Sequence, residues 1–252
     1  SLYRSECAKC KSPVTVEAFI WDRQSNAPAS RIYHCKQCDE TQEQPPAPAD
    51  LQRASQFGSG GVHRIRALER VTPLDDPDRP LAEEALDTYL PRALYALITL
   101  INKIESLPAN RKHLIAALLL PVLDQANTLW SYPSSRARPR QLTIPNRFRE
   151  QNIWLALEAA IKHWGDSTHD IPPIPLTIWP EEPPESGGIS LFHGPLRELA
   201  EKIPHGDAPE HLISAAIGAI PRPHQAYWTL SALWAGWLWG HDATAHFKSV
   251  LR

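Results

Sequence analysis

The chain has 252 residues, long enough to bury one large core or two modest ones. Its 42% hydrophobic and 21% charged content, with a formal net charge of -2, excludes a disordered or strongly basic protein, so any contact with nucleic acid must be local. The 25 prolines against 11 glycines point to stiff, extended connections. No run reaches the roughly 18–20 apolar residues of a membrane span, the nearest being 226–240, and the first residues lack an apolar signal core. A cytoplasmic protein without a membrane partner is expected. The chain contains no methionine, so Ser1 is not an initiator and a piece of a longer polypeptide is expected.

Cys-Ala-Lys-Cys at 7–10 and Cys-Lys-Gln-Cys at 35–38 are paired Cys-x-x-Cys turns, each presenting two thiolates from one tight bend. Val14 to Trp21, rich in β-branched and aromatic residues, predicts a strand between them, and Ile32-Tyr33 leads into the second turn. Strand, loop, strand is the layout of a zinc ribbon, with Cys7, Cys10, Cys35 and Cys38 as ligands. Two disulfides are the rival pairing, disfavoured in a reducing compartment. His34 adjoins Cys35 and reads as a bystander. A closed four-sulfur shell leaves no open position, so the zinc is expected to be structural.

Residues 39–61 carry Gln, Glu, Pro and a Gly58-Ser59-Gly60-Gly61 cluster without the Lys-Ser/Thr of a phosphate loop, and 43–80 is read as a linker. From Leu81 the apolar period is helical, with Pro91 in the first turn of the main helix. A second helix is predicted over about 109–130, kinked at Pro121, with Leu114, Leu118, Val122, Ala126 and Leu129 on one face. A third spans about 149–164, carrying Ile153, Leu157, Ala160, Ile161 and Trp164. Between the last two lies 131–149, which holds Arg136, Arg138, Arg140, Arg147 and Arg149 and no acid. Fixed positive charges in a proline-stiffened loop suit a phosphate backbone, or else a solvated or internally paired arginine loop.

After a proline-rich spacer at 171–188, the pattern reads strand (189–192), helix (195–203), strand (211–220) and an aromatic helix (226–240). Such β-α-β-α runs build parallel sheets whose ligands gather at the strand ends, here Ile220-Pro221-Arg222-Pro223. Tyr227, Leu230, Trp234, Trp237 and Leu238 form one stripe of the last helix, which makes them core candidates. The histidines match no His-Glu-x-x-His pattern, and no Gly-x-Ser-x-Gly accompanies them, so hydrolytic chemistry has little support.

Several segments together resemble the zinc-ribbon-containing bacterial adenine-specific (amino-group) DNA methyltransferases. They are the ribbon with Val-Glu-Ala-Phe-Ile-Trp at 16–21, Tyr-Leu-Pro-Arg-Ala-Leu-Tyr-Ala-Leu at 89–97, Asp-Gln-Ala-Asn-Thr-Leu-Trp at 124–130, and Pro-Arg-Pro-His-Gln-Ala-Tyr-Trp-Thr-Leu-Ser-Ala-Leu-Trp at 221–234. In that family an Asp-Pro-Pro-Tyr strand end accepts hydrogen bonds from the target amino group and stacks on the flipped base. The resemblance sets Ile220 at the Asp position, Pro221 and Arg222 at the prolines and Pro223 at the Tyr, so only the first proline is kept and catalysis is expected to be impaired. Tyr227 and Trp228 are the substitute stacking candidates, and Arg222 a phosphate contact. No Phe-x-Gly-x-Gly-like turn for S-adenosylmethionine occurs, which implies that an upstream catalytic half or a partner subunit supplies it.

The expectation is an α+β protein: zinc ribbon at 1–42, linker at 43–80, helical region at 81–170 with the Arg-rich loop 136–149, and a partial Rossmann-like β-α-β-α segment at 171–252. Its function would be that of a DNA-binding, catalytically impaired segment of a SAM-dependent adenine-N6 DNA methyltransferase-like protein. The alternative is a non-enzymatic zinc-ribbon module for nucleic acid or protein.

Overall fold

In the computed structural model, which describes residues 2–58, 61–133, 142–167, 174–192, 194, 196–202 and 225–245, the predicted strand forms β2, Pro13–Asp22. It is antiparallel to β1 (Arg4–Glu6) along its first residues and to β3 (Ala27–Tyr33) along most of its length. The β2–β3 turn is closed by the Asp22 carboxylate, which accepts the Ser25 N–H at 2.8 Å and the Ser25 hydroxyl at 3.0 Å. Asn26 supplies the left-handed residue (φ 49°), a conformation asparagine tolerates better than most.

The chain divides into two compact units, Ser1–Trp164 with Pro221–Arg252, and Gly165–Ile220. Ribbon and helices therefore do not form separate domains. In the first unit a fourth strand, β4 (Arg147–Gln151), pairs antiparallel with Ala18–Asp22 of β2. The expected third helix thus starts later, as α6 (Ile153–Ser167), and residues 147–151 belong to the sheet. Alternation along β4 buries Phe148 and Glu150 and leaves Arg147, Arg149 and Gln151 on the other face.

The stretch 43–80 is not a bare linker. It contains α1 (Pro48–Ser55) and α2 (Val62–Glu69), and Ala67, Leu68 and Val71 are core residues. The buried Asp50 carboxylate fastens α1 to the ribbon: it accepts the Ala47 N–H at 2.8 Å and bonds Arg31 at 3.0 Å, Arg53 at 2.6 Å and Ser5 at 2.9 Å. Proline and glutamine content hides this because the attachment rests on one acid and partners distant in sequence.

Helices α3 (Arg79–Leu86), α4 (Pro91–Glu105) and α5 (Ala109–Gln125) follow, with Pro91 in the first turn of α4 and Pro121 inside α5, as predicted. Leu94, Leu97, Ile98 and Ile101 of α4 meet Leu119, Val122 and Leu123 of α5 in one core that also includes Val16, Phe19 and Trp21 of β2. α5 ends at Gln125 and its inward face is shifted: Ala116 and Leu119 are buried while Leu114 is exposed. On α6, Ile153, Ala156 and Ala160 face inward, whereas Ile161 and Trp164 of the same predicted apolar set are exposed.

The aromatic helix is broken. α8 (Gln225–Trp228) and α9 (Ser231–Trp239) are separated at Leu230, whose φ of 65° is left-handed. Both belong to the first unit, packing Leu233 and Trp237 into the helical core. Trp237 donates its indole N–H to Ala67 O at 3.0 Å and packs edge-on against Tyr89, with ring centroids 5.1 Å apart.

In the second unit β5 (Leu176–Ile178) lies within the expected spacer and pairs in parallel with β6 (Ile189–Leu191), followed by α7 (Leu196–Lys202). The connection 179–188 holds turns and no helix, so the described residues form no β-α-β crossover. The expected strand 211–220 lies outside the described residues. No helix among them is long and apolar enough to cross a membrane.

Candidate functional site

The two Cys-x-x-Cys segments fold as two copies of one turn. In the first, the Cys7 N–H donates to Ser12 O at 2.8 Å, the Lys11 N–H donates to Cys7 O at 3.1 Å, and Lys11 is left-handed at φ 63°. In the second, the Cys35 N–H donates to Glu40 O at 2.9 Å, the Asp39 N–H to Cys35 O at 2.8 Å, and Asp39 has φ 58°. A left-handed residue just after the second cysteine curls each turn so that both sulfurs point to one side. That conformation is unfavourable for a residue with a Cβ, and the doubled turn holds it in place.

Antiparallel pairing of β2 with β3 brings the turns face to face, and the four sulfurs all lie within 4.8 Å of one another. Cys7 Sγ is 3.6 Å from Cys38 Sγ, and Cys10 Sγ is 3.5 Å from Cys35 Sγ. A tetrahedron with metal–sulfur bonds of about 2.3 Å has edges of about 3.8 Å, so the donor set fits a tetrahedral ion that prefers sulfur. All four cysteines are free thiols, and the rival disulfide pairing is not formed.

The electrostatics point the same way. N–H groups of Cys10 and Lys9, with the Tyr33 hydroxyl, hold the Cys7 thiol down at about 6, whereas burial pushes Cys38 up to about 12. Ser12 lowers Cys10. Four thiols so close cannot all ionise by themselves, and a dication at their centre removes the conflict.

Tyr33 is a supporting residue that the spacing of the cysteines does not reveal. Its hydroxyl accepts the Ala8 N–H at 2.8 Å and points at Cys7 Sγ at 3.7 Å, tying β3 to the opposite turn. The available signal is its position two residues before Cys35, on the inward register of β3. Hydrogen-bonding neighbours of this kind orient metal ligands. His34, by contrast, turns to Asp39 at 2.8 Å and is not a fifth ligand.

The arginine-bearing segment starts and ends on a paired stem. The Arg149 N–H donates to Trp130 O at 2.9 Å, the Tyr132 N–H donates to Arg147 O at 3.0 Å, and Ser131 bridges Phe148. Arg147 lies over the Tyr132 ring, 5.7 Å from its centroid, and 3.6 Å from Glu43. Glu43 also bonds Tyr132 at 2.6 Å, and it bonds Ser30 on β3. Arg149 is half-buried, and its Nε has no protein acceptor. Arg136, Arg138 and Arg140 lie outside the described residues.

Ile220, Pro221, Arg222 and Pro223 also lie outside them. Of the stacking candidates, Tyr227 is corrected: its ring is buried in the helical core and offers no face to a base. Trp228 is 37% exposed. Comparison of the chain with protein-family models, with curated proteins and with solved structures finds no match.

Proposed function

We propose that this chain is the nucleic-acid-binding region of a DNA methyltransferase-like protein, built on a structural zinc ribbon. The observation that carries the reading is mechanical: the two stems of the arginine segment are tied to each other and, through β4, to the strand that leaves the cysteine turns. Zinc at Cys7, Cys10, Cys35 and Cys38 fixes the sheet, and the sheet fixes both ends of a segment that carries Arg136, Arg138, Arg140, Arg147 and Arg149. Guanidinium groups suit phosphate because they keep their charge and present a planar fork of donors. The contacts would be to the backbone, so binding tolerates sequence changes and weakens with salt.

The zinc has no catalytic part in this reading, since four thiolates leave no position for water or substrate. Binding by the arginine segment does not require S-adenosylmethionine or the upstream catalytic half or partner subunit that the family resemblance implies. The stand-alone binding module predicts the same DNA affinity without methyl transfer.

The test is a mobility-shift titration of the zinc-loaded chain with a DNA duplex, beside a variant carrying Arg136→Ala, Arg138→Ala and Arg140→Ala, and a labelled methyl-donor assay. Taking three guanidinium groups away from the phosphates should weaken binding at least about tenfold at low salt. Unchanged affinity in the variant removes the arginine segment from the interface. Methyl transfer by the chain rejects the stand-alone reading.

A further inference from the structure

A second feature of the first unit lies beside Ile144 and Phe148, at the far end of the sheet from the cysteines. A cleft of about 390 Å³ opens between the β2–β3 turn, the start of α2 and the first turns of α4. Its floor is apolar, made by Leu90 and Leu94 of α4 with Ile144 and Phe148. Its wall is aromatic. The Tyr95 ring, 39% exposed on the α4 face turned away from the helical core, meets Phe57 at 5.2 Å and His63 at 4.7 Å between centroids. The rim is polar: Asn26 and Gln56 offer amides, and Arg23 and Arg64 offer guanidinium groups.

Floor, wall and rim together select a ligand class. A purely apolar guest would make no use of the polar rim, whereas a nucleobase has a π-face for the rings and edges that both donate and accept. The cations divide by circumstance. Arg64 is paired with Asp87 at 2.7 Å, so much of its charge is already compensated. Arg23 instead donates to a neutral carbonyl, Ile144 O, at 2.9 Å, which fixes the guanidinium at the rim and leaves its charge intact for a phosphate. The Arg23 N–H also donates to Asn146 O at 2.8 Å, so the rim is stitched to the C-terminal part of the arginine-bearing stretch. Ile144 itself belongs to the stretch 131–149 and lines the cleft. A strand whose phosphates run along that stretch would arrive with its bases at the aromatic wall.

We propose that this cleft takes one unpaired base of single-stranded nucleic acid, stacked on the face of Tyr95 with the His63 ring edge-on beside it, and with Arg23 at the adjoining phosphate. The assignment rests on the nucleic-acid reading above and deepens it: the arginine segment holds the backbone, and the cleft gives preference for a strand whose bases are free to leave the stack.

Fluorescence anisotropy tests this with the full zinc-loaded chain and three labelled 12-nucleotide probes: a base-bearing single strand, the same strand with every base replaced by an abasic analogue, and the duplex. Tyr95→Ala should weaken the base-bearing strand by about tenfold or more, the scale of a single base–aromatic stack, and leave the abasic strand and duplex unchanged. Tyr95→Phe should keep the wild-type affinity, because the ring face does the stacking. Equal affinity of wild type and Tyr95→Ala for the base-bearing strand overturns the cleft assignment while the backbone reading stands. So does an equal weakening on the abasic strand, which would report a general disturbance. No binding of wild type to any of the three probes at low salt overturns the cleft and the nucleic-acid reading together.

Discussion

Replacing Glu150 by Gln should be among the most damaging near-isosteric changes available in this protein. Glu150 and Arg92 are each 2% exposed, and Arg92 Nε donates to Glu150 Oε1 at 2.6 Å while Arg92 Nη2 bonds the other oxygen. The Trp21 indole also donates to that second oxygen, and the guanidinium sits against the rings of Phe19 and Trp21, 4.7 and 5.2 Å from their centroids. Burial alone would lower the pKa of Arg92, but the Glu150 carboxylate overrides it and raises it. In Glu150→Gln the arginine stays charged, and the amide turns an N–H toward a donor where two accepting oxygens stood. Breaking one side of a buried pair costs about 3–5 kcal/mol. With a urea slope near 2 kcal/mol/M that is a midpoint shift of roughly 1.5–2.5 M, read by far-UV circular dichroism and by tryptophan fluorescence. The paired change Arg92→Met with Glu150→Leu should recover most of that stability, because apolar replacements of buried pairs are often close to neutral. A shift below about 0.3 M for Glu150→Gln, well under the ~3 kcal/mol scale of such pairs, would refute the reasoning.

Other outcomes follow from the same geometry. A Cβ at Gly236 would meet Arg70 O and Val71 Cγ2 at 2.8 Å and Val71 Cα at 2.9 Å, so Gly236→Ala should lower stability by about 1–3 kcal/mol despite alanine's better helix propensity. Gly165→Ala in α6, where nothing lies within 4 Å, should instead be neutral or stabilising by up to about 1 kcal/mol; thermal melts compare the two. Stripping the metal with a chelator, or Cys38→Ser, should remove hydrogen-exchange protection from β1 to β3 first. A structural zinc site supplies on the order of 10 kcal/mol, comparable with the whole stability of a typical domain. Glu43 is held below the usual carboxylate range by the Ser30 hydroxyl first, then by Tyr132, with Arg147 nearby. Its stabilising effect is therefore present above the unfolded value of about pH 4.3 and lost as pH falls through the lower folded value. The melting-temperature gap between wild type and Glu43→Gln should be open at pH 7 and should close in acid, and a gap independent of pH would count against the Glu43 latch.

The four-cysteine cluster is legible because Cys-x-x-Cys spacing is a local constraint: two turns and a hairpin suffice to bring four sulfurs together. Its support is less so. Lys11 and Asp39 adopt left-handed geometry without being glycine, and only the repeated hydrogen-bond pattern of the turns reveals why. β4 escapes notice because its inward position 150 is a glutamate. Alternation in Arg-Phe-Arg-Glu-Gln looks polar until Arg92, from α4, is found opposite it. The same holds for 43–80, where Asp50 finds Arg31 on β3 and Arg70 and Val71, just after α2, meet Gly236 far off in sequence. The break at Leu230 has no glycine or proline to announce it. The cleft lies beyond sequence reasoning altogether, since Arg23, Phe57, His63 and Tyr95 share no spacing and meet only through the packing of α2 and α4 against the sheet end.

The arginine side chains of the stretch 136–149 are proposed to hold a phosphate backbone. The most direct measurement is the salt dependence of duplex affinity for the zinc-loaded chain, with log K plotted against log of the salt concentration. If Arg136, Arg138, Arg140 and Arg149 each neutralise a phosphate, with Arg147 already paired to Glu43, the slope should lie near about -3 to -4. A slope shallower than about -1, or no measurable binding at low salt, contradicts it.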